Sequence, residues 1–338
     1  MRLLIHTRFH PSVGGIETVA RLLVGEWIGA GESVTIVTDV KFDPSREESV
    51  DFPVRHRPSR REWVRLLRSH DLLVHFNISL RALWPLLVVP RRFVAVHHGY
   101  YTIDRDGHRD WKEKLKLRIA RTASKNIAVS EAVAQRIGIP CEVIPNPYDA
   151  TVFRRDSNVA RAGDLIFVGR LVSDKGGDTL LRALAILRAR GVRPALTIAG
   201  DGPERPSLEK LVAELELESQ VTFSGSQTPR AIADLLRRHQ ILVMPSLWEE
   251  PFGVVALEGI ACGCAVIGSV GGGLPEAIGP CGITFPNGDA ASLAGKIDEL
   301  HGNSNRVEEL LTHADEHLAR HLPSPVAARY LEVMHSAV

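Results

Sequence analysis

Residues 244–267 read Met-Pro-Ser-Leu-Trp-Glu-Glu-Pro-Phe-Gly-Val-Val-Ala-Leu-Glu-Gly-Ile-Ala-Cys-Gly-Cys-Ala-Val-Ile. The apolar run at 241–244 predicts a buried strand, and apolar residues then recur at helical spacing from Val254 onward. Pro251 and Gly253 stand where such a helix would begin. Glu250 therefore falls just before a helix N-terminus, and Glu258 is expected about two turns inside the helix.

This placement of two carboxylates suits a ligand that carries phosphates between two sets of hydroxyl groups. The free N–H groups and partial positive charge of a helix N-terminus favour phosphate. Two carboxylates would repel a bare phosphate, but they accept hydrogen bonds from hydroxyls. A sugar nucleotide has this arrangement, so we expect Glu250 to contact the donor sugar and Glu258 the ribose. The alternative is a solvated surface pair, since Glu is mostly exposed.

Length and composition are typical of a cytoplasmic enzyme of two domains. The chain has 338 residues, 44% of them hydrophobic and 24% charged. No uncharged apolar run is long enough to span a bilayer, and the first apolar run stops at His6, which favours a strand over a signal peptide. Four cysteines predict free, buried thiols in a reducing compartment. No Cys/His group has the spacing of a zinc site, and we expect no metal and no other cofactor.

The small net charge of the chain hides two halves of opposite sign. Residues 1–155 contain 25 Lys and Arg against 17 Asp and Glu, and residues 156–338 contain 16 against 23. The halves would attract each other across a cleft, and a basic first half would favour an anionic membrane surface; the alternative is dispersed surface charge that does neither. The basic segment 110–122 offers an amphipathic surface for a lipid-linked acceptor or, alternatively, a solvated helix. We expect no nucleic-acid partner.

Strand and helix patterns alternate along the whole chain. Strands are predicted at 2–6, 33–38, 164–168, 195–199 and 221–225, with helices between them. This alternation predicts an α/β protein with two doubly wound parallel sheets. The turn-rich segment 144–149 marks the domain boundary. We therefore expect domains at residues 1–150 and 151–322, followed by a helix at 323–338.

Two glycine-containing loops follow predicted strands and have the chemistry to bind phosphate. Gly14 and Gly15 lie at the first strand-to-helix turn, where backbone groups can approach a phosphate; a tight turn without a ligand is the alternative. Arg170 and Lys175 lie in the loop after the strand at 164–168. A leaving nucleoside diphosphate would be neutralised by such cations, although Lys and Arg are also ordinary surface residues.

A pair of histidines, His97 and His98, ends the apolar run that begins at Phe93. Ligand sites in open α/β sheets lie beyond the carboxyl ends of the strands, so a histidine here is expected to face a ligand. A capping or core histidine is the alternative, because a nearby backbone group can satisfy either ring nitrogen.

The segment from Glu250 to Glu258, with the Ala-Cys-Gly-Cys-Ala-Val-Ile that follows, resembles the Glu-x7-Glu signature of retaining GT-B glycosyltransferases of family 4. The resemblance covers nearly the whole chain and is densest at 164–288. It implies two Rossmann-like domains that face a cleft, the first binding the acceptor and the second the nucleotide sugar. It also implies that the terminal helix returns to the first domain. Pro147 departs from the family's Pro-Asn-Gly-x-Asp hinge pattern, in which glycine is usual at this position.

The resemblance also implies roles for individual residues. His97 fits the register of a histidine near the donor sugar, with His98 as the rival. Gly225 and Gln227 lie in the loop that holds the base. The implied catalytic residues are His97, Arg170, Lys175 and Glu250. The implied donor-binding residues are Gly14, Gly15, Gly225, Gln227, Phe252, Gly253, Val254, Val255 and Glu258.

The implied reaction is the metal-independent transfer of a hexose with retention of configuration. The donor would be UDP-glucose or a close relative, and the acceptor a sugar or lipid-linked molecule in bacterial polysaccharide or glycolipid assembly. The acceptor hydroxyl attacks the face from which the diphosphate leaves, and a departing phosphate oxygen takes its proton. The alternatives are a sugar-nucleotide epimerase or a phosphorylase of the same fold, and a non-catalytic sugar-nucleotide-binding protein. A dehydrogenase is disfavoured because the full dinucleotide fingerprint is missing.

Overall fold

The computed structural model describes residues 1–9, 15–43, 50–101 and 111–338. The chain divides into a first unit, Met1–Pro147 with Leu322–Val338, and a second unit, Tyr148–His321. The first unit is therefore discontinuous in sequence, because the last residues of the chain belong to it.

The first unit is built on a seven-stranded sheet in which every pair of neighbours is parallel. Its strands are β1 (Arg2–His6), β2 (Ser33–Thr38), β3 (Val54–His56), β4 (Leu72–Phe76), β5 (Phe93–His97), β6 (Lys125–Ala128) and β7 (Glu142–Val143), in the order β3-β2-β1-β4-β5-β6-β7. The strands β4 and β5 are buried along their whole length. Continuous apolar burial is what helices on both faces of a parallel sheet produce.

Five α-helices precede the domain boundary in the described residues of the first unit. They are α1 (Gly15–Gly29), α2 (Arg60–Ser69), α3 (Leu80–Leu83), α4 (Trp111–Ala120) and α5 (Glu131–Ile137). Ser130 caps the N-terminus of α5: its hydroxyl accepts a hydrogen bond from the Val133 N–H at 3.1 Å, which satisfies one free donor of the first turn. Gly138 ends α5 in the left-handed conformation that favours glycine.

The second unit contains a six-stranded parallel sheet. Its strands are β8 (Gly163–Val168), β9 (Leu196–Ala199), β10 (Val221–Gly225), β11 (His239–Met244), β12 (Ala265–Ser269) and β13 (Gly282–Phe285), in the order β10-β9-β8-β11-β12-β13. The strand order reverses between β8 and β11. A doubly wound sheet binds ligands beyond the carboxyl ends of its strands at such a switch point. A ligand-binding site is therefore expected at the loops that follow β8 and β11.

Eight helices surround this second sheet. They are α6 (Gly177–Ala189), α7 (Arg205–Glu214), α8 (Pro229–Arg238), α9 (Val254–Ala261), α10 (Leu274–Ile278), α11 (Ala290–Leu300), α12 (Ser304–Leu311) and α13 (Ala314–Ala319). The helix predicted after Gly253 is α9. Glu258 is its fifth residue and lies about one turn inside it, so the expectation of two turns was wrong.

The final helix, α14 (Pro323–Ser336), packs against α1 within the first unit. The Trp27 indole N–H donates to the Ala327 carbonyl at 3.2 Å, and its ring lies 5.9 Å from that of Tyr330. Both rings are fully buried. In the part of the chain that the structure describes, no helix is both long and apolar enough to cross a bilayer.

Candidate active site

Two loops at the switch point of the second unit are hydrogen-bonded to each other. After β8 the chain forms a 3₁₀ turn at Ser173–Lys175, which ends at Gly176 in the left-handed conformation. The Asp174 carbonyl accepts hydrogen bonds from the N–H groups of Leu247 and Trp248 at 2.9 and 3.2 Å. The loop that carries Lys175 is thus fixed to the loop that follows β11.

Lys175 and Glu250 form an ion pair between these loops. The Lys175 Nζ lies 2.5 Å from Glu250 Oε1, and the Ser246 hydroxyl donates to the same oxygen at 2.7 Å. Glu250 is only 9% exposed, whereas the Lys175 side chain is 34% exposed. The carboxylate is therefore oriented from the protein side, and the cation is open to a ligand from the solvent side.

A second layer of polar groups holds the Glu250 loop in place. The Ser269 hydroxyl and the Asn287 amide both donate to the Ser246 carbonyl, at 2.7 and 3.0 Å. Asn287 Oδ1 accepts from the Gly271 N–H at 2.9 Å. The roles of Ser246, Ser269 and Asn287 were not predicted from the sequence. The one feature of the sequence that could have identified them is their position: each ends or follows a strand of the second sheet, at the edge where a ligand site was expected.

The predicted donor-binding residues that precede and begin α9 have different exposures. Phe252 is 2% exposed, and its ring packs 5.6 Å from that of His321. Gly253 has φ +100 and caps the helix, while Val254 and Val255 are half-buried in the first turn. The backbone of Gly253, Val254 and Val255 is therefore suited to ligand contact. The Phe252 side chain is instead buried and stabilises the turn by packing.

Glu258 lies half-buried on α9, and none of the described residues donates a hydrogen bond to its side chain. Burial, with a smaller contribution from the negative charge of Asp149, raises the pKa of Glu258 to about 7. An acid with a raised pKa destabilises the folded chain as it ionises, so the free energy of unfolding should fall as pH rises from about 4.5 to 7.

Glu258→Gln is therefore expected to stabilise the ligand-free protein at alkaline pH. At pH 8 the gain should approach about 3 kcal/mol, because burial raises the pKa of Glu258 to about 7 in the folded chain. At pH 4 both chains carry a neutral group here and should be equally stable. Urea unfolding at the two pH values measures the difference, and an equal effect at both would contradict the raised pKa.

The remaining predicted residues of the second unit lie at the carboxyl ends of β8 and β10. Arg170 is exposed, and no carboxylate among the described residues pairs with it. Gly225 ends β10 with φ +70, and its carbonyl accepts from the Gly200 N–H at 2.9 Å. Gln227 is exposed and donates to the Ser224 carbonyl at 2.6 Å. The structure thus brings these three to the same sheet edge as Lys175.

The predicted histidines of the first unit are both buried, but only one has both ring nitrogens engaged. His97 Nδ1 lies 2.7 Å from the Tyr101 hydroxyl, and its Nε2 lies 3.0 Å from Asn126 Oδ1. Neither ring nitrogen of His98 makes a well-formed hydrogen bond with a described residue, although the Asn146 side chain lies beside it. Burial lowers the pKa of His97 to about 4 and that of His98 to about 3, so both are neutral at pH 7. Among the described residues, His98 therefore keeps unused hydrogen-bonding capacity, whereas His97 does not.

The predicted phosphate loop near the N-terminus is described only in part. Gly14 lies outside the described residues, and Gly15 is the first residue of α1. Across residues 1–9, 15–43, 50–101 and 111–338, no three His, Cys, Asp or Glu side chains are grouped so that they could hold a metal ion. All four cysteines are free; Cys141 is half-buried and the other three are buried.

Two family models match adjoining parts of the chain. The model described as Glycosyltransferase Family 4 matches residues 13–152, and the model described as Glycosyl transferases group 1 matches residues 151–316. The chain belongs to glycosyltransferase family 4. The family resemblance carried by the Glu250–Glu258 segment is thereby confirmed.

Curated relatives of this family 4 chain include two named transferases. It is 32% identical over 245 residues to the D-inositol 3-phosphate glycosyltransferase of Thermobispora bispora, an alignment that covers 68% of this chain and 57% of the relative. It is 27% identical to the GDP-mannose-dependent alpha-(1-6)-phosphatidylinositol monomannoside mannosyltransferase of Mycolicibacterium smegmatis, over 90% of both chains. The chain spans only 43% to 57% of the length of the first three relatives.

Solved structures of low sequence identity share the fold of this family 4 chain. Anabaena Alr3699/HepE in complex with UDP and glucose superposes with a TM-score of 0.80 at 19% identity, over 99% of each chain. The sucrose-phosphate synthase of Thermosynechococcus elongatus superposes with a TM-score of 0.80 at 21% identity, over 99% of this chain and 98% of that one. The predicted GT-B fold class is confirmed by these likenesses.

Proposed function

We propose that this family 4 glycosyltransferase moves a hexose from a nucleoside-diphosphate sugar to a sugar or lipid-linked acceptor, with retention of configuration. The observation that carries the proposal is the Lys175–Glu250 ion pair at the switch point of the second sheet, beside the N-terminus of α9. It combines a cation for the diphosphate with a carboxylate for sugar hydroxyls. UDP-glucose or a close relative is the proposed donor, with a bacterial polysaccharide or glycolipid as the product.

Charge neutralisation is the main catalytic effect in this proposal. As the bond from the sugar to the diphosphate breaks, negative charge grows on the leaving phosphate, and Lys175 and Arg170 stabilise it. Glu250 orients the sugar by accepting hydrogen bonds from its hydroxyls. The acceptor hydroxyl attacks from the side of the leaving group, and a departing phosphate oxygen takes its proton. No metal ion and no other cofactor is part of the proposed reaction.

Two further groups complete the proposed assignment. Glu258 accepts hydrogen bonds from the ribose, and it does so with both oxygens and more strongly when it is ionised; donor affinity should therefore weaken as pH falls below about 7. In the first unit we assign substrate contact to His98 instead of His97, because both ring nitrogens of His97 are already engaged. We place the reaction in the cytoplasm.

A thermal-shift panel of UDP-, GDP- and ADP-sugars tests the donor assignment. A donor at about 100 times its Kd should stabilise the protein by about 2.7 kcal/mol. Donors with one of the three bases should raise the melting temperature more than donors with the other two. The relative from Mycolicibacterium smegmatis is named for GDP-mannose, and the Anabaena structure holds UDP, so both bases belong in the panel. Slow hydrolysis of the bound donor to a sugar of retained configuration is expected. Conversion of the donor to its epimer without an acceptor, or binding without hydrolysis, would overturn the proposal.

A further inference from the structure

A groove on the first unit joins an apolar floor to a rim of arginines. It lies between α2 and the residues that follow α3, and it encloses about 520 Å³. We call it the arginine groove, and its lining includes Arg60, Arg61, Arg65, Arg68, Trp84 and Val88. All of these lining residues belong to the first unit, whereas Lys175 and Glu250 belong to the second.

The positive charge of the arginine groove is not neutralised by any carboxylate that the structure describes. The helix α2 buries Trp63 and Leu67 and exposes its four arginines. None of the four pairs with a carboxylate in the described part of the chain; the one acid of α2, Glu62, lies 3.9 Å from Arg55. Four like charges within ten residues repel one another, so an anionic surface that binds them relieves this repulsion.

Exposed apolar side chains stand directly beside these arginines. Leu87 is 87% exposed and Val88 is 58% exposed, at the end of the short 3₁₀ turn Trp84–Leu87. Trp84 is half-buried, and the Arg60 guanidinium lies 6.0 Å from the centroid of its ring. An arginine rim would bind any polyanion, but a soluble polyanion would leave Leu87 and Val88 in water.

We propose that the arginine groove docks on an anionic lipid bilayer. The arginines contact lipid phosphates, Leu87 and Val88 enter the boundary with the acyl chains, and Trp84 lies at the interface, where its amphipathic ring is favoured. This assignment goes beyond the transfer reaction and does not depend on it. It also differs from the segment 110–122, where Lys116 is already paired with Glu113 at 2.7 Å.

Vesicle flotation of the full chain tests the docking surface. Binding is expected to vesicles of phosphatidylcholine with phosphatidylglycerol and not to phosphatidylcholine alone. Each arginine near an anionic membrane contributes about a fivefold factor, so Arg61→Gln with Arg65→Gln should weaken partitioning about 25-fold. Leu87→Ser should weaken vesicle binding but leave binding to heparin, a soluble polyanion, unchanged.

The matched control removes the same charge from another exposed part of the first unit. Lys114→Gln with Arg118→Gln acts on α4 and should leave vesicle binding unchanged. An equal or larger loss in this control would overturn the proposal. Equal binding to vesicles with and without phosphatidylglycerol would also overturn it. Unaltered vesicle binding by Leu87→Ser would overturn it too, and would indicate that the ligand of the groove is a soluble polyanion. Because all the substituted side chains are exposed, thermal unfolding should be unaffected.

Discussion

Lys175→Ala is expected to lower the rate of sugar transfer by about 10²–10³-fold, the usual loss when a group that stabilises transition-state charge is removed. The cation lies 2.5 Å from Glu250 and is open to a ligand, so in the proposed reaction it meets the charge that develops on the leaving diphosphate. Its removal should lower kcat more than it raises KM, because that charge is largest in the transition state. Steady-state kinetics with the donor identified by thermal shift measures both parameters.

Two further variants separate this effect from a loss of folding. Lys210→Ala removes a lysine that is 79% exposed in the same unit, beside Glu214, and should leave kcat unchanged. Glu250→Ala should also lose transfer, because the donor sugar would lack its orienting carboxylate. Normal transfer by Glu250→Ala, or a similar loss in Lys210→Ala, would contradict the assigned roles. The melting temperature of Lys175→Ala should stay close to that of the parent, since the ion pair is partly exposed.

Gly176→Ala is expected to destabilise the second unit by about 3–5 kcal/mol. Gly176 has φ +67, and a Cβ there would lie 2.0 Å from the Pro245 carbonyl oxygen. Both atoms belong to the hydrogen-bonded loops after β8 and β11, so one loop would have to move away from the other. Urea unfolding measures the loss of stability, and transfer should fall with it because Lys175 precedes the altered residue.

The control for Gly176→Ala is Gly302→Ala. Gly302 lies in the same unit with φ +72, but a Cβ there would have no neighbour within 4 Å. Gly302→Ala should therefore suffer only the penalty of the left-handed backbone, about 1 kcal/mol. Similar losses at the two positions would show that contact with Pro245 does not matter.

Local patterns in the sequence were sufficient to predict the strand-and-loop framework of the second unit. The apolar run at 241–244 became the end of β11, and Gly253 became the cap of α9, because both depend on short-range periodicity and on backbone freedom. The extent of α9 was not predictable to within a turn, since helix ends depend on tertiary contacts. The left-handed Gly253 delays the start of α9 to Val254, which brings Glu258 nearer to the N-terminus than expected.

The hydrogen bonds that distinguish one candidate residue from another join residues far apart in the sequence. They could not be predicted from local sequence patterns. Lys175 and Glu250 are 75 residues apart, and Asn287 reaches back 41 residues to Ser246. Likewise the sequence register favours His97 over His98 and gives no sign of their hydrogen bonds. The contact with Asn126, 29 residues from His97 and on the neighbouring strand, shows that Nε2 of His97 is already engaged.

The discontinuity of the first unit affects how the chain can fold during synthesis. Trp27 and its hydrogen-bond acceptor on α14, Ala327, are 300 residues apart. At 5–20 residues per second, a ribosome needs about 15–60 s to make that intervening length. Throughout this interval the face of α1 that α14 covers has no permanent neighbour, while the whole second unit emerges and can fold. A nascent chain stalled before α14 should therefore present Trp27 to chaperones and proteases, and the first unit should mature last although it is made first.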